Sequence, residues 1–308
     1  MSAGVVPSNR PWWQSKLRRQ EVFAGYFTIL PWILGFLIFV GGPILFSFYL
    51  SFSEYDILKP PKLIGLKNYQ EMSEDRLFWQ SLRVTTIYAA GAVPLAVVVG
   101  YLLALMLNQK VGGLSFWRTA FYVPAIVPVL AVSYLFAWIF NPDIGLVNGL
   151  LRQVGVEGPQ WFASREWVLP TFMIMELWAA GGGMVLYLAA LQGVPTSLYD
   201  AAKVDGATAW RRFWHVTLPM TTPVIFFQFL IGLIASFQLF TGPFLVTQGG
   251  PANASLFYVL YLYRNGWKYF NMGYASALAW VLVVIILVFT LLSFRVARRV
   301  VYYESEEP

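Results

Sequence analysis

Cysteine is absent from the 308 residues, histidine occurs once, at His215, and charged residues make up only 12% of the chain. The first absence excludes a disulfide framework, a thiolate metal site and a cysteine nucleophile, and it leaves redox chemistry silent on compartment. The second excludes paired-histidine zinc motifs. The third decides the class. An average chain carries about 25% charge, and the shortfall stands beside 58% hydrophobic residues. A water-soluble enzyme is excluded; the composition is that of an integral membrane protein. No Gly-x-x-x-x-Gly-Lys-[Ser/Thr] occurs, so nothing in the chain is expected to cradle a nucleotide phosphate.

Aromatic residues are abundant, at 18%, which suits a bilayer because amphipathic rings settle at the headgroup level. The net charge of +6 requires no nucleic acid, since basic residues on the cytoplasmic side of membrane helices give the same excess. Crossing a hydrocarbon core of about 30 Å takes about 20 mostly apolar helical residues. Six stretches qualify, near Ala24 to Ser51, Val84 to Leu107, Thr119 to Phe140, Val168 to Ala190, Pro223 to Val246 and Gly273 to Phe294. They are continuously apolar, whereas the strands of a barrel alternate over about ten residues. The expected fold is therefore all-α with six transmembrane helices. Residues 1–23 form an N-terminal segment, 24–294 the membrane domain and 295–308 a C-terminal tail. The first span is too long for a signal-peptide core and lacks a small-residue cleavage site, so it is expected to stay attached.

Basic residues set the orientation. With the N-terminus cytoplasmic, twelve fall inside: Arg10, Lys16, Arg18, Arg19, Lys110, Arg118, Lys203, Arg211, Arg212, Arg295, Arg298 and Arg299. Nine fall outside. The bias is strongest beside the first and last spans, and both termini are expected to be cytoplasmic. Prolines at 31, 43, 94, 124, 128, 170, 223 and 243 are expected to bend the bundle around a watered cavity, because a carbonyl freed in lipid must find a partner. Gly181, Gly182 and Gly183 are expected to allow close helix packing.

The polar loop 192–222 between the fourth and fifth spans is the most informative segment. Ser197 and Asp200 have capping-box spacing, predicting a helix from Leu198 to about Asp205. Gly206 supplies a left-handed residue to end it, and Thr208 can cap a second helix running through Val216 to a break at Pro219. That helix places Trp210, Phe213, Trp214 and Thr217 on one face and Arg211, Arg212 and His215 towards the others. Periodicity alone fits two roles, lying in the lipid headgroups or docking to a cytosolic partner.

Asp200-Ala201-Ala202, three residues, Gly206, nine residues, Val216, one residue and Leu218-Pro219 resembles the EAA motif of the membrane subunits of binding-protein-dependent ABC importers. Aspartate stands for the family's leading glutamate and valine for its isoleucine. The carbohydrate-uptake branch, which contains the maltose and glycerol-phosphate importers, is resembled by Pro31 and Pro43, Gly65-Leu66-Lys67-Asn68-Tyr69, Phe116-Trp117-Arg118-Thr119, Thr247-Gln248-Gly249-Gly250-Pro251 and Gly273-Tyr274-Ala275-Ser276-Ala277. The likeness covers nearly the whole chain and is that of a first-type permease without a large outer insertion. It implies a coupling helix lodged in a cytosolic ATPase and a non-enzymatic transport subunit of a bacterial or archaeal plasma (inner) membrane. It also implies a second permease, two ATPase subunits that hold the ATP and magnesium, and an extracytoplasmic solute-binding protein. The chain itself is expected to bind no cofactor or metal.

Sugars need aromatic platforms beside amide or hydroxyl groups. Phe237, Gln238, Phe240 and Thr241 offer these near Pro243, with Gln238 the leading candidate. Glu176 is the only acidic residue inside an assigned span and should face protein or water. Disaccharide, oligosaccharide, alginate-like uronate, polyol and glycerol phosphoester all fit the branch. An ion-coupled secondary transporter also explains the prolines and Glu176, but not the full loop pattern.

Overall fold

The computed structural model describes residues 16–109 and 112–302. The readings that fall on residues 1–15, 110–111 and 303–308, Arg10 and Lys110 among them, lie outside the described residues. The chain begins with α1 (Lys16–Phe36), a π-helical turn (Leu37–Gly41) and α2 (Gly42–Ser51), which together make the first span. Two short strands, β1 (Ser53–Glu54) and β2 (Lys62–Leu63), pair antiparallel with Ser53 opposite Leu63. Then come α3 (Lys67–Glu74) and α4 (Arg76–Leu107). Asp75 caps α4, accepting a hydrogen bond from the Leu77 amide at 2.8 Å. At 32 residues α4 is about 48 Å long, more than the bilayer core needs, so its polar first turns project beyond the lipid.

The third span is split into α5 (Leu114–Ile126) and α6 (Val129–Ile139), which meet at 95°. After α7 (Leu146–Gln153), the fourth span is likewise split into α8 (Val168–Trp178) and α9 (Gly181–Gly193), bent by 51°. A polar segment carries α10 (Thr196–Val204) and α11 (Ala209–Arg212), and α12 (Leu218–Phe237) and α13 (Thr241–Val246) form the fifth span. Past α14 (Tyr258–Tyr263), α15 (Met272–Val300) closes the bundle. Among the described residues, four helical segments are long and apolar enough to cross a membrane, or up to six if each bent pair is one span. The helices α1 and α15 run beyond the boundaries 24 and 294 set by hydropathy.

Not every proline interrupts a helix. Pro31, Pro94, Pro124 and Pro223 lie inside continuous helices. Pro128 sits at the 95° break, where the residue before a proline is pushed out of the helical region: Val127 has φ −71 and ψ 132. The 51° bend has no proline; it falls at Ala179 and Ala180, just before the glycine triplet. Close packing of that triplet is observed, since a Cβ on Gly181 would stand 1.8 Å from the Phe121 carbonyl oxygen.

The main core joins α4, α8, α12, α14 and α15 through Tyr88, Phe172, Phe237, Phe257, Tyr258 and Leu278. A second cluster packs Tyr101, Ala104 and Leu107 of α4 against Met184, Tyr187 and Leu188 of α9. The outer surface of the bundle is apolar, as a lipid-facing surface must be. The first span is held mainly through α2 and α15, with Phe48 edge-on to Trp280 at 4.8 Å.

Candidate functional site

The polar segment between α9 and α12 folds as two helices around Gly206. Gly206 has φ +74, the left-handed conformation that glycine adopts without penalty. The Ala207 amide bonds to the Ala202 carbonyl at 2.8 Å and the Gly206 amide to Lys203 at 3.0 Å, the paired bonds of a Schellman cap. The Thr208 hydroxyl accepts from the Arg211 amide and caps the second helix, as its sequence position predicts. The capping box does not form. The first helix starts two residues early, at Thr196 after Pro195, without a side-chain cap, and Asp200 is bound instead by Lys203 Nζ at 2.8 Å. With the helix starting at Thr196, Ser197 lies inside its first turn and cannot act as the cap. Nor does the second helix end at Pro219. A π-helical turn, Phe213–Thr217, leads straight into α12, so the helix runs on past Pro219, which lies directly after the widened turn.

The loop signature divides by exposure. Asp200, Ala201 and Gly206 are exposed and Ala202 is half-buried, while Val216, Leu218 and Pro219 are half-buried where the loop enters the bundle. Leu218 packs on the α4–α9 cluster. Trp210, Phe213 and Trp214 gather on one face, Trp210 and Trp214 edge-to-face at 5.6 Å. Trp210 is 70% exposed and Val204 88%. A polar segment that leaves this much apolar side chain uncovered presents a contact surface.

Between α4, α8, α9 and α12 lies a cavity of about 300 Å³. Its walls are mostly apolar, with a few convergent polar groups from Tyr88, Glu176, Tyr187, Gln228 and Ser236. Tyr88 donates to Glu176 Oε2 at 3.4 Å, too long to hold the carboxylate firmly. Ser236 spends its proton on its own helix, at the Leu233 carbonyl, 2.7 Å away. The Gln228 amide reaches the wall beside Gly183. Among the described residues, no group of three or more His, Cys, Asp or Glu is placed to hold a metal ion.

Of the five residues proposed for the solute path, only Glu176 lies in this wall. Phe237 is 1% exposed and packs on Phe289 in the core. Gln238 ends α12 and points to the exposed surface rather than into the cavity. Phe240 stacks between Phe244 and Tyr263, and Thr241 opens α13. The sequence reading put its aromatic and amide candidates near the outer break of the fifth span, whereas this cavity is lined by Gln228 and Ser236, earlier in α12. The signal was present: Gln228 is an amide in the middle of an otherwise apolar run. Tyr88 and Tyr187 carried no comparable mark, because interfacial tyrosines look the same in sequence.

Residues 96–302 match the sequence profile of a family described as "Binding-protein-dependent transport system inner membrane component". The probable ABC transporter permease protein YesP of Bacillus subtilis (strain 168) is 40% identical over 299 residues, which cover 96% of each chain. The lactose transport system permease protein LacF of Rhizobium radiobacter is 33% identical over 293 residues, 92% of this chain and 97% of LacF. Among solved structures, a chain of a bacterial ABC transporter involved in the import of the acidic polysaccharide alginate superposes with a TM-score of 0.82. It is 25% identical, and the match covers 94% of this chain and 100% of that one.

Proposed function

The chain belongs to the family of binding-protein-dependent transport system inner membrane components, and on that premise we propose that it is the permease subunit of an ATP-driven importer of a sugar or sugar-like solute. The relatives' transport of lactose and the structural kinship with an alginate importer support the solute class. The observation that carries the reading is the exposed helix, Gly206 turn and helix between α9 and α12, which bears the EAA-type pattern and leaves Val204 and Trp210 uncovered. The same segment fits a groove on a cytosolic ATPase. Asp200, Ala201, Ala202 and Gly206 would contact that groove, while Val216, Leu218 and Pro219 anchor the segment to the bundle.

Transport then follows from alternating access. Two ATPases, which hold ATP and magnesium, close on each other. Their grooves draw the coupling loops of this chain and a second permease together, and the bundle changes between two packed arrangements. A solute-binding protein delivers the solute on the outer side, and both termini lie in the cytoplasm. The cavity at Glu176 and Gln228 is this chain's share of the solute path. An ion-coupled mechanism is not favoured: the relatives are ABC permeases, and the cavity offers Glu176 without a second carboxylate. Because the chain has no cysteine, a single Val204→Cys variant gives a clean test. Cross-linking in membranes should yield a covalent adduct with the ATPase subunit; labelling only from the lipid phase, with no ATPase adduct, would overturn the reading.

A further inference from the structure

Most buried serine and threonine hydroxyls here bond to a carbonyl three or four residues back in their own helix, as do Ser81, Thr85, Ser133 and Thr171. A group beside the coupling loop adds hydroxyl bonds between elements to bonds of that kind. Tyr199 of α10 and Thr217 of the π turn join hydroxyl to hydroxyl at 3.0 Å. Thr221 of α12 donates to the Thr217 carbonyl at 2.9 Å, and Tyr101 of α4 meets the Thr221 hydroxyl at 2.8 Å. The Tyr101 ring stands edge-on to Tyr187 of α9 at 5.6 Å and 89°. Tyr187 is a wall of the cavity. Thr217, Thr221, Tyr101 and Tyr187 are all buried. A hydroxyl has one proton; with that of Thr221 committed to the Thr217 carbonyl, Tyr101 is the donor to Thr221. Hydrogen bonds thus link Tyr199, Thr217, Thr221 and Tyr101 across four elements, with Tyr101 donating to Thr221 and Thr221 to the Thr217 carbonyl, and the ring contact of Tyr101 with Tyr187 carries the connection on to the cavity wall.

The starting point matters. Among the described residues, the Tyr199 bond is the only side-chain hydrogen bond that joins α10 to anything outside it. Next to it the π turn carries one residue more than an α-helix needs, a place where a helix can change register. Without a tie, displacement of α10 would be taken up in that slack. We propose that Tyr199, Thr217, Thr221 and Tyr101 are positioning residues that transmit movement of the coupling loop to the cavity wall at Tyr187, an inference that rests on the coupling role given above.

The test uses the whole importer, with its second permease, ATPases and binding protein, in proteoliposomes. Two quantities are read: solute taken up per ATP hydrolysed, and ATPase retained on purification. Tyr101→Phe and Thr221→Val should each lower the uptake-to-hydrolysis ratio about threefold to tenfold, the range expected from one lost buried hydrogen bond. ATPase retention should be unchanged. Thr221→Ser, which keeps the hydroxyl, should restore the ratio, and the double variant should be no worse than either single one. Tyr101→Phe removes one oxygen only and serves if Thr221→Val assembles poorly. A normal ratio in Tyr101→Phe, or a Thr221→Ser variant as defective as Thr221→Val, would overturn the link while leaving the coupling loop standing. If deletion of α10 left the ATPases bound and driving uptake, the coupling reading would fall and the link with it.

Discussion

A Cβ placed on Gly183 would stand 2.8 Å from Nε2 of Gln228, so the missing side chain of α9 is what admits the amide of α12 to the cavity wall. A polar amide in a membrane helix seeks a neighbouring helix or water, and here the glycine lets it reach the cavity. The contact also explains one function of the glycine triplet: Gly181 brings the backbone of α5 close, and Gly183 makes room for a polar group.

Gly183→Ala should therefore leave folding nearly intact, because the group in the way is the far end of a flexible side chain. It should displace the amide and raise the solute KM for uptake several-fold, and Gln228→Leu should raise it at least as much. Uptake kinetics in proteoliposomes, with thermal stability measured alongside, check both. Unchanged KM in Gln228→Leu would remove the cavity from the solute path.

Glu176 is open to the cavity, and its one hydrogen bond, from Tyr88, is long. A carboxylate so placed can accept from two solute hydroxyls, and such charge-assisted bonds are stronger than neutral ones. Glu176→Gln keeps the shape and should raise KM about tenfold, the equivalent of about 1.4 kcal/mol. Uptake should still depend wholly on ATP and be insensitive to a protonophore. Proton-gradient dependence abolished by Glu176→Gln would restore the ion-coupled alternative.

At Gly206 an added Cβ meets nothing within 4 Å, yet φ is +74. The cost of a substitution there is conformational rather than steric crowding, and is about 1 to 2 kcal/mol for an L-residue in this region. Gly206→Val should reopen the Schellman cap, weaken ATPase association about tenfold or more and abolish most uptake, while membrane insertion is unaffected. Gly206→Asn, which tolerates the left-handed region, should retain association. Co-purification with the ATPase distinguishes the two.

The bundle was legible in the sequence because lipid demands long apolar runs, and the Gly206 turn because only a left-handed residue ends a helix that way. What escaped depends on competition between equally plausible local partners. Ser197 looked like a cap, but the helix starts before it and Asp200 pairs with Lys203. Pro219 looked like a stop signal, but the helix runs on past it beside a π turn. The lining of the cavity escaped for a different reason. Phe237 and Phe240 are aromatic, as a sugar platform requires, but aromatic rings also fill cores. Only the direction of each helix face separates those uses, and helix packing sets that direction.

Asp75 illustrates a relationship that no local pattern could announce, since its partners lie far along the chain. One oxygen caps α4 through the Leu77 amide, and the other accepts from Tyr261 of α14 and from Tyr274 of α15, the latter at 2.8 Å. A single carboxylate thus ties α4, α14 and α15 together. Burial first, and then the hydrogen bond to Asp75, push the Tyr261 phenol from 10.0 up to about 12. The neutral phenol is favoured in the folded chain, so this contribution to stability is complete below about pH 10 and is lost as pH rises towards 12. Thermal stability of the purified protein should therefore fall across that window, and less steeply in Tyr261→Phe, which has no proton to lose there. Asp75→Asn still caps α4, since asparagine is as good a cap as aspartate. It loses the negative acceptor on which both tyrosines converge, so it should lower the melting temperature at pH 7, whereas an effect confined to Asp75→Ala would reduce the carboxylate's role to capping α4.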